Sequence, residues 1–236
     1  RPGLKINIMI EACYAGSFIH APQSLSKPGR VILTSTNNEN PAWASRQGAH
    51  FSDHLLGALQ RGESLYNSFR EAQIAARVAN RTQTAWLDGD GNGQPEEASD
   101  LFAAAQRGFA FAGTLLDDRW PPYIAQVQPP TPIENGRGQV RADVRDDVKV
   151  ADVWAIIYPP SYVAPTVSDA LVQESLQTIK LLDQGNGWYG ATYPGFDEIG
   201  SYRIVIFAED EQGMQARPVA MDVETGSQVF LPLVTR

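Results

Sequence analysis

The sequence predicts a two-part chain: an α/β unit over residues 1–120, with a partial parallel sheet and flanking helices, then an all-β sandwich over residues 121–236. Three observations carry that prediction. Short apolar runs alternate with helix-like segments in the first half. Period-two alternation between turn residues fills the second. Five prolines between Asp117 and Pro132 mark the change of texture. At 236 residues the chain also exceeds the usual single-domain size of about 100–150 residues.

The first apolar runs, Ile6–Ile10 ("INIMI") and Arg30–Ser35 ("RVILTS"), have the composition of buried parallel strands. "FSDHLLGALQRG" reads as a helix started by Ser52 and stopped by Gly62. A second helix starts at a Ser64 cap and places Leu65, Phe69, Ala72 and Ala76 on one face. Thr84–Leu87 supplies a third strand, and Ser99 caps a third helix over "SDLFAAAQRGFAF". In the second half, Gly138–Val144, Val150–Tyr158, Ser201–Asp210 and Gln215–Val223 read as strands. Tyr202, Ile204, Ile206 and Ala208 line one strand face, and Tyr202, just after Gly200, takes the place of a tyrosine corner. Trp154, Tyr158, Trp188 and Tyr193 are expected in sandwich core and corner packing, the alternative being a sugar-binding platform. The proline-rich junction predicts few contacts crossing between the halves.

Charge narrows the partners. The net charge is −8, and the imbalance sits in residues 121–236, with 8 Lys/Arg against 15 Asp/Glu; residues 1–120 are nearly balanced at 11 against 12. Nucleic acid and anionic membrane surfaces both favour a basic face, so neither is an expected partner. No apolar run approaches the roughly 18–20 residues that cross a bilayer, so membrane insertion is not expected either. A single cysteine makes no internal disulfide and leaves the redox compartment open.

That cysteine, Cys13, stands where the first apolar run ends, in "KINIMIEACYAGS". A lone cysteine is commonly a small buried hydrophobe. In open α/β sheets, however, the reactive crevice lies outside the carboxyl ends of the strands, which is where Cys13 falls. Glu11, two residues earlier, points to the same side if the strand continues. A carboxylate does not activate a thiol, so Glu11 reads as a substrate-contacting group.

"EACYAGS" closing an apolar strand resembles the catalytic-cysteine motif of the caspase-like cysteine peptidases, nearest the legumain branch. "GRVILTSTNNENPAWAS" is similar to that family's next strand, whose end walls the primary specificity pocket. The resemblance covers about residues 4–113. It implies a caspase-like α/β fold for the first half, and a thiol peptidase in which Cys13 attacks the scissile carbonyl. Its backbone N–H then contributes to the oxyanion hole, and a histidine protonates the leaving amine. Glu11, Ser35 and Thr36 become the expected substrate-binding residues. The second half resembles the immunoglobulin-like or cadherin-like modules of many secreted bacterial proteins, which suggests a secreted or cell-surface setting.

The sequence departs from the family at the histidine, which there ends the strand preceding the cysteine strand. Here only 12 residues precede Cys13, so the histidine and the opening strands are expected on an upstream segment of the same domain. The chain is thus expected to be inactive alone. His20 follows the nucleophile and has no family counterpart. His50 and His54, four residues apart, are expected at the surface.

"LDGDGNGQPEEASD" places Asp88, Asp90 and Asn92 at alternate positions before Gly93, the opening of an oxygen-ligand calcium loop. Gln94, through its carbonyl, and Glu97 complete the expected ligand set for structural Ca2+; the alternative is an acidic glycine-rich turn. The function expected is a cysteine endopeptidase acting on peptide or protein substrates. Its alternative is a non-catalytic adhesion or interaction protein, with a degenerate peptidase-like scaffold and a binding sandwich. A thiol-dependent acyl transferase on the same fold is a further reading.

Overall fold

The computed structural model describes residues 4–20, 24–46, 48–109, 120–130, 133–164 and 176–226. In the first half, β1 (Ile6–Ile10) pairs in parallel with β2 (Arg30–Thr34), Ile6 opposite Arg30 and Ile10 opposite Thr34. The next elements are α1 (His50–Gln60), α2 (Leu65–Ala79), β3 (Trp86–Asp88) and α3 (Ala98–Ala105). β3 runs antiparallel to β2, with Thr34 opposite Trp86, so the sheet expected to be parallel is mixed. The two packed helices α1 and α2 carry the chain out and back, and an even number of helices returns it to the end of β2 that it left.

Apolar spacing fixes which faces are buried. Val31, Leu33 and Leu87 of the sheet meet Phe51, Leu55 and Phe69 of the helices in one core. Leu65, Phe69, Ala72 and Ala76 are all fully buried, as their shared face predicts. Ser64 caps α2 by accepting the N–H of Asn67 at 3.2 Å. Two other expected caps are corrected. α1 begins two residues before Ser52, with Ala49 at its N-cap. α3 is started by Glu97 and Asp100, which satisfy each other's backbone N–H in a capping box and leave Ser99 inside the helix. The end of that predicted helix, residues 110–111, lies outside the described residues, as do 117–119 and 131–132 of the junction.

The second half contains β4 (Tyr123–Gln128), β5 (Gly138–Arg145), β6 (Val150–Tyr158), β7 (Gln177–Lys180), β8 (Leu182–Asp183), β9 (Trp188–Tyr193), β10 (Gly200–Asp210) and β11 (Val219–Thr225). They form two antiparallel sheets, ordered β4-β5-β9-β8 and β11-β10-β6-β7. Val140, Ala142 and Val144 of one sheet and Ile157, Ile204 and Ile206 of the other share a single core. The Tyr202 hydroxyl accepts the N–H of Glu198 at 2.9 Å and donates to the carbonyl of Gly195 at 3.0 Å, the corner geometry expected of it. β4 occupies part of the expected junction; its flanking prolines, Pro121–Pro122 and Pro129–Pro130, sit outside the ladder, where they cost no hydrogen bond.

The expectation of few contacts between the halves does not hold. Ala79 of α2 meets Trp154, Val205 and Phe207 on the outer face of the β11-β10-β6-β7 sheet in a second buried cluster. Arg203 donates to the carbonyl of Val78 at 2.7 Å, Tyr158 to that of Ala79 at 3.2 Å, and Arg81 pairs with Asp222 at 2.7 Å. Trp154 and Tyr158 therefore serve this interface. The physical reason is legible in "IVIFA", Ile204–Ala208, apolar at every position because the strand is covered on both faces.

Candidate active site

Beyond β1 the chain enters a tight turn that presents Cys13 at the surface. Tyr14 is left-handed at φ 58°, an uncommon conformation for a non-glycine residue, and Ala15–Phe18 close a 3-10 turn. The turn is pinned to the end of β2 and the loop after it. Tyr14 N–H donates to Asn40 O at 3.0 Å, Gly16 N–H to Asn37 O at 3.3 Å and Ala12 N–H to Ser35 Oγ at 3.3 Å. None of the hydrogen bonds described for the turn uses the N–H of Cys13. Gly16 is required by close approach: a Cβ there would lie 2.6 Å from backbone atoms of Asn37 and Asn38 and 2.7 Å from the Trp86 ring. The Cys13 thiol donates to the Ala42 carbonyl, Sγ to O 3.8 Å, on the loop joining β2 to α1.

The expected substrate-binding residues divide. Ser35 and Thr36 are fully buried, and the Ser35 hydroxyl is spent on the backbone of Ala12. Glu11 is exposed beside the turn, and its carboxylate accepts both the N–H and the hydroxyl of Ser52. It thereby satisfies a first-turn amide of α1, whose own N-cap side chain does not, and places a negative charge at that helix's positive end.

None of the three histidines is hydrogen-bonded to Cys13 among the described residues. His20 lies edge-on to Trp86, ring centroids 5.0 Å apart. The surface placement expected for the other two is corrected: His50 is 8% and His54 3% exposed, because α1 lies between its own core and the sandwich. Burial pushes the His50 imidazole down to about 4. Burial, reinforced by the nearby charges of His50, Arg61 and Arg217, pushes His54 down to about 3. Both are held neutral, packed side chains. His50 stacks on Phe207 with centroids 5.4 Å apart.

In the acidic loop, Asp88, Asp90 and Asp100 each bring a carboxylate oxygen within 4.8 Å of the others. Asp88 accepts the N–H groups of Gly91 and Gly93 and the Ser26 hydroxyl; Asp100 accepts those of Gly89, Asp90 and Glu97. These amides satisfy two fully buried carboxylates. Of the other expected ligands, Asn92 donates its amide to Asp90 and Glu97 and accepts the N–H of Gln94, while Glu97 caps α3. Asp100 joins the group because it is the N3 residue of that capping box, a role visible only once α3 is placed.

No protein-family model and no curated protein matches the chain. One solved structure similar to it is that of Astrotactin-2, described as a conserved vertebrate-specific and perforin-like membrane protein involved in neuronal development. The identity is 14% and the TM-score 0.32, over 68% of this chain and 30% of that one, a likeness too slight to argue from. Among the described residues no helix is long and apolar enough to cross a membrane.

Proposed function

We propose that residues 1–120 are the C-terminal part of a caspase-like cysteine peptidase domain, nearest the legumain branch, and that residues 121–236 are an immunoglobulin-like module joined to it in a secreted or cell-surface protein. One observation carries the reading. The cysteine of the "EACYAGS" motif is exposed at the carboxyl end of a strand, beside a parallel neighbour, on a turn that the motif's glycine alone can pack.

In this reading the Cys13 sulfur attacks the peptide carbonyl, and its uncommitted N–H faces the oxygen that gains charge. Leaving-group protonation requires an imidazole; His50 and His54 are buried, and His20, edge-on to Trp86, makes no hydrogen bond to Cys13 among the described residues. The caspase-like resemblance implies a histidine at the end of a strand beside β1, and among the described residues β1 has β2 as its one strand neighbour. Structural Ca2+ belongs to the same reading, at the loop of Asp88, Asp90 and Asp100.

The test supplies the upstream segment together with this chain and assays peptide hydrolysis, with Cys13→Ala as control. Hydrolysis that the substitution abolishes is the expected result. Hydrolysis that survives it overturns the assignment of Cys13, and a folded, inactive complex favours the scaffold-and-binding alternative.

A further inference from the structure

The loop between β2 and α1 is held from two sides. At one end it faces the cysteine, its Asn40 carbonyl accepting Tyr14 N–H and its Ala42 carbonyl the thiol of Cys13. Its middle is anchored to the fully buried Gln83, which accepts the N–H of Trp43 at 3.2 Å and donates to Ser35 O at 2.9 Å. Its far end reaches the sandwich. Arg46 pairs with Asp152 at 2.8 Å, and its guanidinium carbon lies 4.5 Å above the Trp154 ring.

Both partners of Arg46 are fixed. Trp154 is 2% exposed and stacked on Phe207 at 9° between ring planes, and Phe207 is in turn stacked on His50 at the start of α1. Burial alone would raise the Asp152 carboxyl. Hydrogen bonds from Arg46 and Lys180 outweigh it and hold that carboxyl below its ordinary range. A planar guanidinium satisfies carboxylate and ring together, which a lysine does not.

We infer that Arg46 is a positioning residue through which the β-sandwich sets the loop facing Cys13, and so tunes the reactivity of the sulfur. The sandwich is then a brace for the reactive turn rather than a passenger. This deepens the peptidase reading by naming what regulates its cysteine, but the test is made on the thiol itself.

Cys13 is the one cysteine of the chain, so its reaction with an aromatic disulfide reagent reads out this sulfur alone. Arg46→Ala is expected to speed that reaction by about two- to fivefold, the range that loss of a weak S–H···O contact supports. Amide hydrogen exchange over residues 42–46 should quicken with it, and Arg46→Lys should lie between. Arg81→Ala breaks a different bridge between the halves and should leave the thiol rate unchanged. An unchanged rate and unchanged exchange in Arg46→Ala overturn the inference. So does equal acceleration by Arg81→Ala, which would mean general undocking of the sandwich. A chain that proves to lack peptidase activity leaves these rates, and the inference, where they stand.

Discussion

Acidification should destabilise this protein through two histidines on α1. His50 and His54 have pKa values of about 4 and about 3 in the folded state, against an ordinary 6.5. A histidine depressed on folding stays neutral while the unfolded chain takes up a proton. Stability is therefore complete above about pH 6.5 and falls as pH drops toward the folded values. At about pH 5 the unfolded chain holds nearly a full proton on each imidazole and the folded chain almost none, which costs about 2 kcal/mol per histidine and about 4 kcal/mol for the pair. This figure depends mainly on the unfolded value, provided both rings stay neutral when folded. Burial raises the carboxyls of Glu96, Asp100 and Glu209, which oppose the trend by binding protons more readily in the folded state. Comparing wild type with a His50→Gln/His54→Gln double variant isolates the histidines. In urea, at a slope of about 2–3 kcal/mol per molar, the wild-type midpoint should fall by roughly 1.3–2 M between about pH 7 and about pH 5. The double variant should lose much less. If it loses as much as wild type, the two imidazoles are not the groups that titrate, and the burial argument fails.

Calcium at 100 times its dissociation constant should stabilise the first half by about 2.7 kcal/mol, read as a rise in melting temperature that Asp90→Asn abolishes. No rise at millimolar calcium leaves the loop an acidic turn held by its own amides. Gly16→Ala should cost about 1–3 kcal/mol, because the new methyl meets backbone of Asn37 and Asn38 that has no room to yield. An unchanged urea midpoint would show that the Cys13 turn is looser than its contacts indicate.

Much of this protein is local and can be read from its order of residues. The Ser64 cap, the buried face of α2, the strand Val150–Tyr158 and the corner at Tyr202 follow from spacing and side-chain chemistry within a few residues. So does the turn that exposes Cys13 beyond β1. What the tertiary structure decided is non-local. β3 is antiparallel because two helices, not one, return the chain to β2. Ser35 and Thr36 are buried, although their place at a strand end suggested a pocket wall. Glu11 is committed to the first turn of α1, 41 residues away in sequence. Periodicity reports whether a residue is covered, not by what. "IVIFA" carried that signal, whereas His50 and His54, expected at the surface, did not, and only the meeting of Trp154, Phe207 and His50 identifies the cover as the other half of the chain.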